Sequence, residues 1–157
     1  MPFIFQRDVR GAKALAPRAM ELDPAFFFPV MLEGWADLDA GHYREALPAL
    51  KRAKSLDAPP FVTAYLAFAY GLAGDRSSAL AELAALRKMS ADGSVLPFNL
   101  ALVKLGLGDR AGALDGLEQA YAANSQLMPW IGYDTMFDTL RSEPRFRALL
   151  KKVNLER

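Results

Sequence analysis

The sequence AGHYREAL at residues 40–47 returns as AGDRSSAL at residues 73–80 and as LGDRAGAL at residues 107–114. The glycines of the three copies are spaced by 33 and 34 residues, and an apolar run lies on each side of every copy. Each glycine is placed to end one helix, because the left-handed backbone of a helix C-cap suits glycine. Asp75 and Asp109 follow at the position where the next helix needs an N-cap. The pattern predicts three helical hairpins in series.

The amino-acid composition also favours helices. The chain of 157 residues contains 27 alanines and 24 leucines, which are strong helix formers, against 11 valines, isoleucines and threonines in total. We therefore expect an all-α fold. Because proline disturbs a helix that contains it, bends or interruptions are expected at Pro17 and Pro48. The predicted helices cover residues 9–22, 27–40, 43–56, 61–73, 76–89, 95–106, 110–123 and 144–153, with irregular structure or a short helix at residues 124–143.

The recurring segments resemble the tetratricopeptide repeat, a family of helical hairpins whose pattern is Trp-x2-Leu-Gly-x2-Tyr, then Ala-x3-Phe, then Pro. The second unit matches best, through Leu66, Ala67, Tyr70, Ala79 and Leu83. The leading tryptophan position is instead occupied by Val30, Thr63 and Pro97. The resemblance implies a right-handed α-solenoid that forms a single domain over residues 1–157. Its parts would be a partial unit at 9–24, repeats at 27–60, 61–93 and 94–126, and a C-terminal cap at 127–157.

A second resemblance covers the sequence FDTLRSEPRFRALL at residues 137–150. It is similar to the segment that closes tetratricopeptide domains in bacterial multidomain regulators, which include adenylate cyclases, serine/threonine kinases and winged-helix transcription regulators. Ser142 is placed to N-cap a helix that has Pro144 in its first turn. The apolar face of that helix would consist of Phe146, Leu149, Leu150 and Val153. A solenoid needs such a half-polar cap to cover the apolar face of its last repeat.

The first resemblance also implies a concave groove lined by the first helix of each hairpin. The residues at its groove positions are apolar and rich in aromatic rings, which are the usual anchors for a peptide or a helix. We expect a non-catalytic protein–protein interaction module, a scaffold or adaptor, that binds part of a partner protein there. The predicted binding residues are Phe28, Met31, Leu32, Trp35, Phe61, Tyr65, Phe68, Phe98, Asn99 and Leu102.

Self-covering of the groove is the alternative, because so large an open apolar surface is unusual on a monomer. Residues 1–5, the C-terminal helix or a second copy of the chain, as in a homodimer, would then lie in the groove. In that case the chain would be a self-associating or regulatory segment of a larger bacterial signalling protein.

The composition argues against several other functional classes. With no cysteine and a single histidine, His42, the chain lacks thiol nucleophiles, disulfides, thiolate metal sites and two-histidine metal sites. Its net charge of +1 gives no electrostatic reason to expect nucleic acid as a partner. We therefore expect no catalytic residue, no cofactor and no metal. Since no apolar run approaches the roughly 18 residues of a membrane span and no export signal begins the chain, we expect a cytoplasmic protein.

Three local patterns have ordinary structural interpretations. GLGDRA at residues 106–111 fits the loose dinucleotide-binding pattern, but its second glycine belongs to the repeat turn. Glu33, Asp37 and Asp39 form an acidic group on the first hairpin, which we interpret as a solvated face because a metal needs more fixed oxygen ligands. The basic residues between 141 and 157 are also interpreted as a solvated helix face.

Overall fold

The computed structural model describes residues 17–19, 21–23, 25–56, 59–89 and 97–155. Within these residues all regular structure is helical, so the predicted all-α fold class is confirmed. The α-helices are α1 (Phe27–Asp39), α2 (Tyr43–Ser55), α3 (Pro60–Leu72), α4 (Arg76–Met89), α5 (Pro97–Gly106), α6 (Arg110–Ala122) and α7 (Pro144–Lys152). Two 3₁₀ helices, η1 (Met128–Gly132) and η2 (Thr135–Leu140), lie between α6 and α7. The predicted helix over residues 9–22 falls mostly outside the described ranges, although residues 17–19 and 21–22 are helical.

The helices from α1 to α6 begin and end within two residues of the predicted positions, because local signals mark their ends. The turn inside each hairpin contains a glycine with a positive φ of 76°, 87° or 82°, at Gly41, Gly74 and Gly108 respectively. This left-handed backbone strains other residues and suits glycine. The side chain of Asp109 caps α6 by accepting a hydrogen bond from the backbone N–H of Gly112 at 2.8 Å. None of the helices in the described ranges combines the length and apolar character needed to cross a membrane.

The structure differs from two local predictions, because α2 is not interrupted at Pro48 and Ser142 is not the N-cap of α7. Pro48 lies inside α2, which continues to Ser55. The proline is exposed and removes a single donor from the helix ladder, while the buried side of α2 remains packed against its neighbours. At the start of α7 the N-cap residue is Glu143, because Pro144 is the first residue of the helix.

Consecutive helices pack on each other along the chain. The pairs α1–α2, α3–α4 and α5–α6 form the three hairpins, and α2 packs on α3 and α4 on α5 between them. The first helices of the second and third hairpins, α3 and α5, are also in direct contact. Glycine permits this approach, because a Cβ atom added to Gly106 would lie 2.6 Å from the Cα atom of Phe68. Such neighbour-to-neighbour packing is compatible with a helical repeat.

The buried core continues from the hairpins into the C-terminal part of the chain. Phe137 on η2 and Phe146 on α7 are both fully buried, and their ring centroids are 6.2 Å apart. Leu149 and Leu150 are buried and Val153 is half-buried, so the predicted apolar face of α7 is confirmed. The C-terminal elements therefore share one core with the hairpins.

Candidate functional site

Four aromatic residues of the predicted groove lie on the first helices of the three hairpins. Trp35 is on α1, Tyr65 and Phe68 are on α3, and Phe98 is on α5. We call these four residues the aromatic face. The ring centroids of Trp35 and Tyr65 are 5.2 Å apart. Trp35 is half-buried, but Tyr65, Phe68 and Phe98 are only 5%, 3% and 3% exposed, so the aromatic face is not the open surface that was predicted.

The chain covers the aromatic face with its own residues Met128–Leu140, which comprise η1 and η2. We call these residues the closing segment. The ring centroid of Trp130 lies 5.7 Å from that of Trp35, and the ring of Phe137 meets Phe98 edge to face at 5.5 Å. These contacts come from the closing segment rather than from α7, the C-terminal helix that was considered from the sequence. Residues 1–5, the other segment considered, lie outside the described residues.

A buried hydrogen bond joins the closing segment to the aromatic face. The Oη atom of Tyr65 donates to Oδ2 of Asp134 at 2.5 Å, and Asp134 is 5% exposed. The other carboxylate oxygen, Oδ1, accepts from the backbone N–H of Met136 at 3.0 Å and so caps η2. Each oxygen of this carboxylate therefore has a donor, as buried polar groups require.

Burial changes the acid–base behaviour of both partners in this hydrogen bond. It raises the pKa of Asp134 to about 6, because an ionised carboxylate is poorly solvated there. The hydrogen bonds from Tyr65 and Met136 oppose this change, whereas the nearby carboxylates of Asp39 and Asp138 add to it. Burial, and then the charge of Asp134, raise the pKa of Tyr65 well above its usual range. The Tyr65 hydroxyl therefore remains a donor at every pH at which Asp134 titrates.

Further polar contacts hold the η2 end of the closing segment. The hydroxyl of Thr135 donates to Oδ1 of Asp39, the last residue of α1. The guanidinium of Arg141 donates from Nη2 to the carbonyl oxygen of Gly132 at 3.0 Å and from Nε to Oδ1 of Asp138 at 2.6 Å. The closing segment is thus tied both to α1 and to the turn that leads into α7.

A cleft of about 560 Å³ lies beside η2, and its lining includes Phe68, Met136, Asp39 and Asp138. Its volume falls within the range of small-molecule pockets. Both carboxylates already have partners in the structure, Asp39 in Thr135 and Asp138 in Arg141. The described residues contain no cluster of three or more histidine, aspartate or glutamate side chains placed to hold a metal ion.

The predicted binding residues fall into two groups by burial. Those that are buried are Met31, Tyr65, Phe68, Phe98, Asn99 and Leu102. Those that are half-buried are Phe28, Leu32, Trp35 and Phe61. The Oδ1 atom of Asn99 has no hydrogen-bond partner in the described part of the chain. The structure brings Trp35 and Tyr65 together, and it places Phe28 and Phe61 in a separate aromatic group.

This separate group lies at the N-terminal ends of α1 and α3. Phe27 contacts Phe28 and Phe61 at centroid distances of 6.1 and 6.0 Å. Phe26, just before α1, stacks on Phe28 at 6.2 Å and is 47% exposed. The exposed ring of this group, Phe26, is not one of the predicted groove residues, and the groove residues Phe28 and Phe61 are half-buried as Trp35 is.

Three residues of the site, Trp130, Asp134 and Phe137, were not predicted from the sequence. Pro129 and Gly132 interrupt the helical periodicity around them, so no buried face could be assigned to residues 124–143. One signal was available in the composition of the closing segment, whose sequence is MPWIGYDTMFDTL. A non-periodic segment with so many large apolar side chains requires a surface on which to bury them.

No match to this chain was found among protein-family models, curated proteins or solved structures. No relative therefore supplies a function, a ligand or a partner. The geometry offers an apolar face built from three hairpins, one buried hydrogen bond between Tyr65 and Asp134, and a segment of the same chain seated on that face.

Proposed function

We propose that this chain is a non-catalytic protein-interaction module of the tetratricopeptide type. In this proposal the three hairpins form a right-handed solenoid with the aromatic face on its concave side, and the face binds a short segment of protein. Support comes from the glycine turns that recur after 33 and 34 residues and from the direct packing of α3 on α5. Such a module serves as an adaptor or as the regulatory part of a larger signalling protein.

The observation that carries the proposal is the way the closing segment sits on the aromatic face. Trp130 meets Trp35 of α1, Asp134 accepts from Tyr65 of α3, and Phe137 meets Phe98 of α5. Each hairpin thus supplies at least one contact to a short stretch of chain. Aromatic contacts supply apolar binding energy, and a buried hydrogen bond fixes register. The face therefore suits a segment with the order aromatic, acid, aromatic.

The closing segment competes with any external peptide of the same pattern. Because it belongs to the same chain, it acts at an effective concentration on the order of millimolar. An external partner then binds well only when the closing segment is released. This supports the regulatory form of the module, in which the chain occupies its own binding face, over a groove that stands open to partners.

A binding experiment with the closing segment as a separate peptide tests this function. A fluorescent peptide with the sequence of residues 128–140 is titrated against the full chain and followed by anisotropy. The Trp130→Ala variant loosens its own closing segment, so we expect it to bind the peptide about tenfold or more tightly than the wild-type chain does. A peptide carrying Phe137→Ala should bind more weakly because it lacks the ring that meets Phe98.

Two controls accompany this titration. Leu80 on α4 is 45% exposed and is not part of the aromatic face, so Leu80→Ala should behave as the wild type does. Far-UV circular dichroism establishes that Trp130→Ala keeps its helical content. A folded Trp130→Ala chain that leaves the peptide unbound would be incompatible with the proposed function.

A further inference from the structure

Asp134 is the buried ionisable group at the interface between the closing segment and the aromatic face. Both of its hydrogen bonds come from neutral donors, the hydroxyl of Tyr65 and the backbone N–H of Met136. The charged groups that act on Asp134 are two other carboxylates, Asp39 at the end of α1 and Asp138 on η2, and both raise its pKa. An ionised Asp134 is thus poorly solvated and lies near two like charges, whereas a protonated Asp134 avoids both costs.

Within the part of the chain that the structure describes, no cation is paired with Asp134. Tyr65 is the titratable group that α3 places against it, and its hydroxyl stays protonated. Arg141 follows η2, but its guanidinium pairs with Asp138 and with the carbonyl oxygen of Gly132. The protonation state of Asp134 therefore sets the electrostatic cost of closing.

We propose that the closing segment is an acid-tightened latch, held more firmly on the aromatic face when Asp134 is protonated and released more easily as the pH rises to neutral. The inference rests on the proposed function, because it regulates access to the same face. Its physical basis is the transfer of a single carboxyl group from solvent into the buried interface between the closing segment and the aromatic face.

The direction of the pH dependence follows from the number of protons that the closed and the open chain bind. In the open chain Asp134 titrates as an ordinary aspartate near pH 3.9, and in the closed chain its pKa is about 6. Between these two pH values Asp134 is protonated in the closed chain and ionised in the open chain. Acid therefore favours the closed chain, and the closed chain becomes less stable relative to the open chain as the pH rises. The equilibrium constant for opening should increase about tenfold between pH 5 and pH 7 and should change little above that.

Tryptophan fluorescence is the suitable readout, because the chain has 2 tryptophans and both lie in this interface. Urea titrations of the full chain at pH 5, 6, 7 and 8 are followed by tryptophan emission and by far-UV circular dichroism. Together they give the equilibrium constant for exposing Trp35 and Trp130 separately from the loss of the helices. The Asp134→Asn variant, neutral at every pH, is measured in parallel. Dividing the constant of the wild-type chain by that of Asp134→Asn removes the contribution of the other titrating groups. We expect this ratio to change about tenfold between pH 5 and pH 7.

Two further variants shift the transition in opposite directions. Asp138→Asn removes a like charge, so the midpoint of the pH dependence should move to lower pH. Tyr65→Phe removes a donor that stabilises the ionised carboxylate, so the midpoint should move to higher pH. If Asp134→Asn does not fold, these opposite shifts in otherwise folded chains decide the question, and their absence overturns the latch.

The outcomes separate the latch from the proposed function. A ratio that is the same at all four pH values, with blue-shifted tryptophan emission in the native chain, overturns the latch and leaves the closed interaction module standing. Red-shifted emission without urea at every pH would mean that the tryptophans are open to solvent, and it would overturn both. The expected pH-dependent ratio supports both.

Discussion

The hydroxyl oxygen of Tyr65 lies 2.5 Å from Oδ2 of Asp134, although 69 residues separate the two along the chain. The bond connects α3 of the second hairpin with the short link between η1 and η2. It is buried, and aromatic contacts through Trp130 and Phe137 adjoin it in the closing segment. A buried hydrogen bond of this kind fixes the position of the closing segment along the aromatic face, because a shifted segment would leave the buried carboxylate of Asp134 without its donor.

The first prediction concerns the donor in this bond. Tyr65→Phe should lower the free energy of unfolding by about 1.5–3 kcal/mol at pH 7.5, the usual range for a hydrogen bond to a charged group. At pH 5 most of Asp134 is neutral, so the loss should fall to about 1 kcal/mol. Urea unfolding of wild type and variant at both pH values measures the difference.

Tyr70→Phe is the matched control for this substitution. Tyr70 lies on the same helix, and its ring faces the ammonium of Lys51 at 5.3 Å instead of a buried acid. We expect Tyr70→Phe to have little effect at either pH. Equal losses for the two tyrosines would mean that the Tyr65 hydroxyl contributes nothing specific to the closed chain.

The second prediction concerns the apolar anchor of the closing segment. Phe137 is fully buried between Phe98 and Phe146, at centroid distances of 5.5 and 6.2 Å. Phe137→Ala should therefore cost about 3–5 kcal/mol in free energy of unfolding, as expected for a large buried aromatic side chain. Met89→Ala, at a position that is 38% exposed, should stay within about 0.5 kcal/mol of wild type. A loss below about 1 kcal/mol for Phe137→Ala would mean that η2 is not packed in this core.

Helix positions could be predicted from the sequence because their signals are local. Gly108, with its positive φ, marks the end of α5, and Asp109 next to it caps the start of α6. The resemblance to the tetratricopeptide repeat then placed Trp35 and Tyr65 on one face. Their contact at 5.2 Å agrees with that assignment.

The cover of the aromatic face could not be predicted, because its signals are not local. The closing segment consists of two 3₁₀ helices separated by Tyr133 and Asp134, and it has no period from which a buried face can be derived. A single sequence contains nothing that pairs Asp134 with Tyr65 across 69 residues. The size of the apolar face did indicate that a cover was needed, but the closing segment was not among the covers that the sequence suggested.

The third prediction concerns the contact between the second and third hairpins. A Cβ atom at position 106 would lie 2.6 Å from the Cα atom of Phe68 and 2.8 Å from its carbonyl oxygen, so α3 and α5 would have to move apart. Gly106→Ala should cost about 1–3 kcal/mol in thermal or urea unfolding, even though alanine is the better helix former. Ala111→Ser, at an exposed position of α6, is the control and should change stability by about 0.5 kcal/mol or less. A neutral or stabilising Gly106→Ala would rule out the close approach of these helices.

The fourth prediction concerns self-association, which the covered aromatic face should prevent. Phe68 and Phe98 are buried by the same chain, so they offer no large apolar surface to a second copy. We expect light scattering on a sizing column to give the mass of one chain, 17.2 kDa, over a hundredfold range of loading concentration of about 0.1–10 mg/ml.

Trp130→Ala should reverse this behaviour, because it removes the side chain that covers Trp35 and leaves an aromatic surface open. We expect its apparent mass to rise with concentration, while Leu80→Ala remains a monomer. A wild-type dimer that persists at the lowest loading would contradict the self-covered arrangement, since the closing segment of each chain would then be insufficient to protect its own face. If Trp35→Ala dissolved that dimer, the aromatic face would be an assembly surface between two copies.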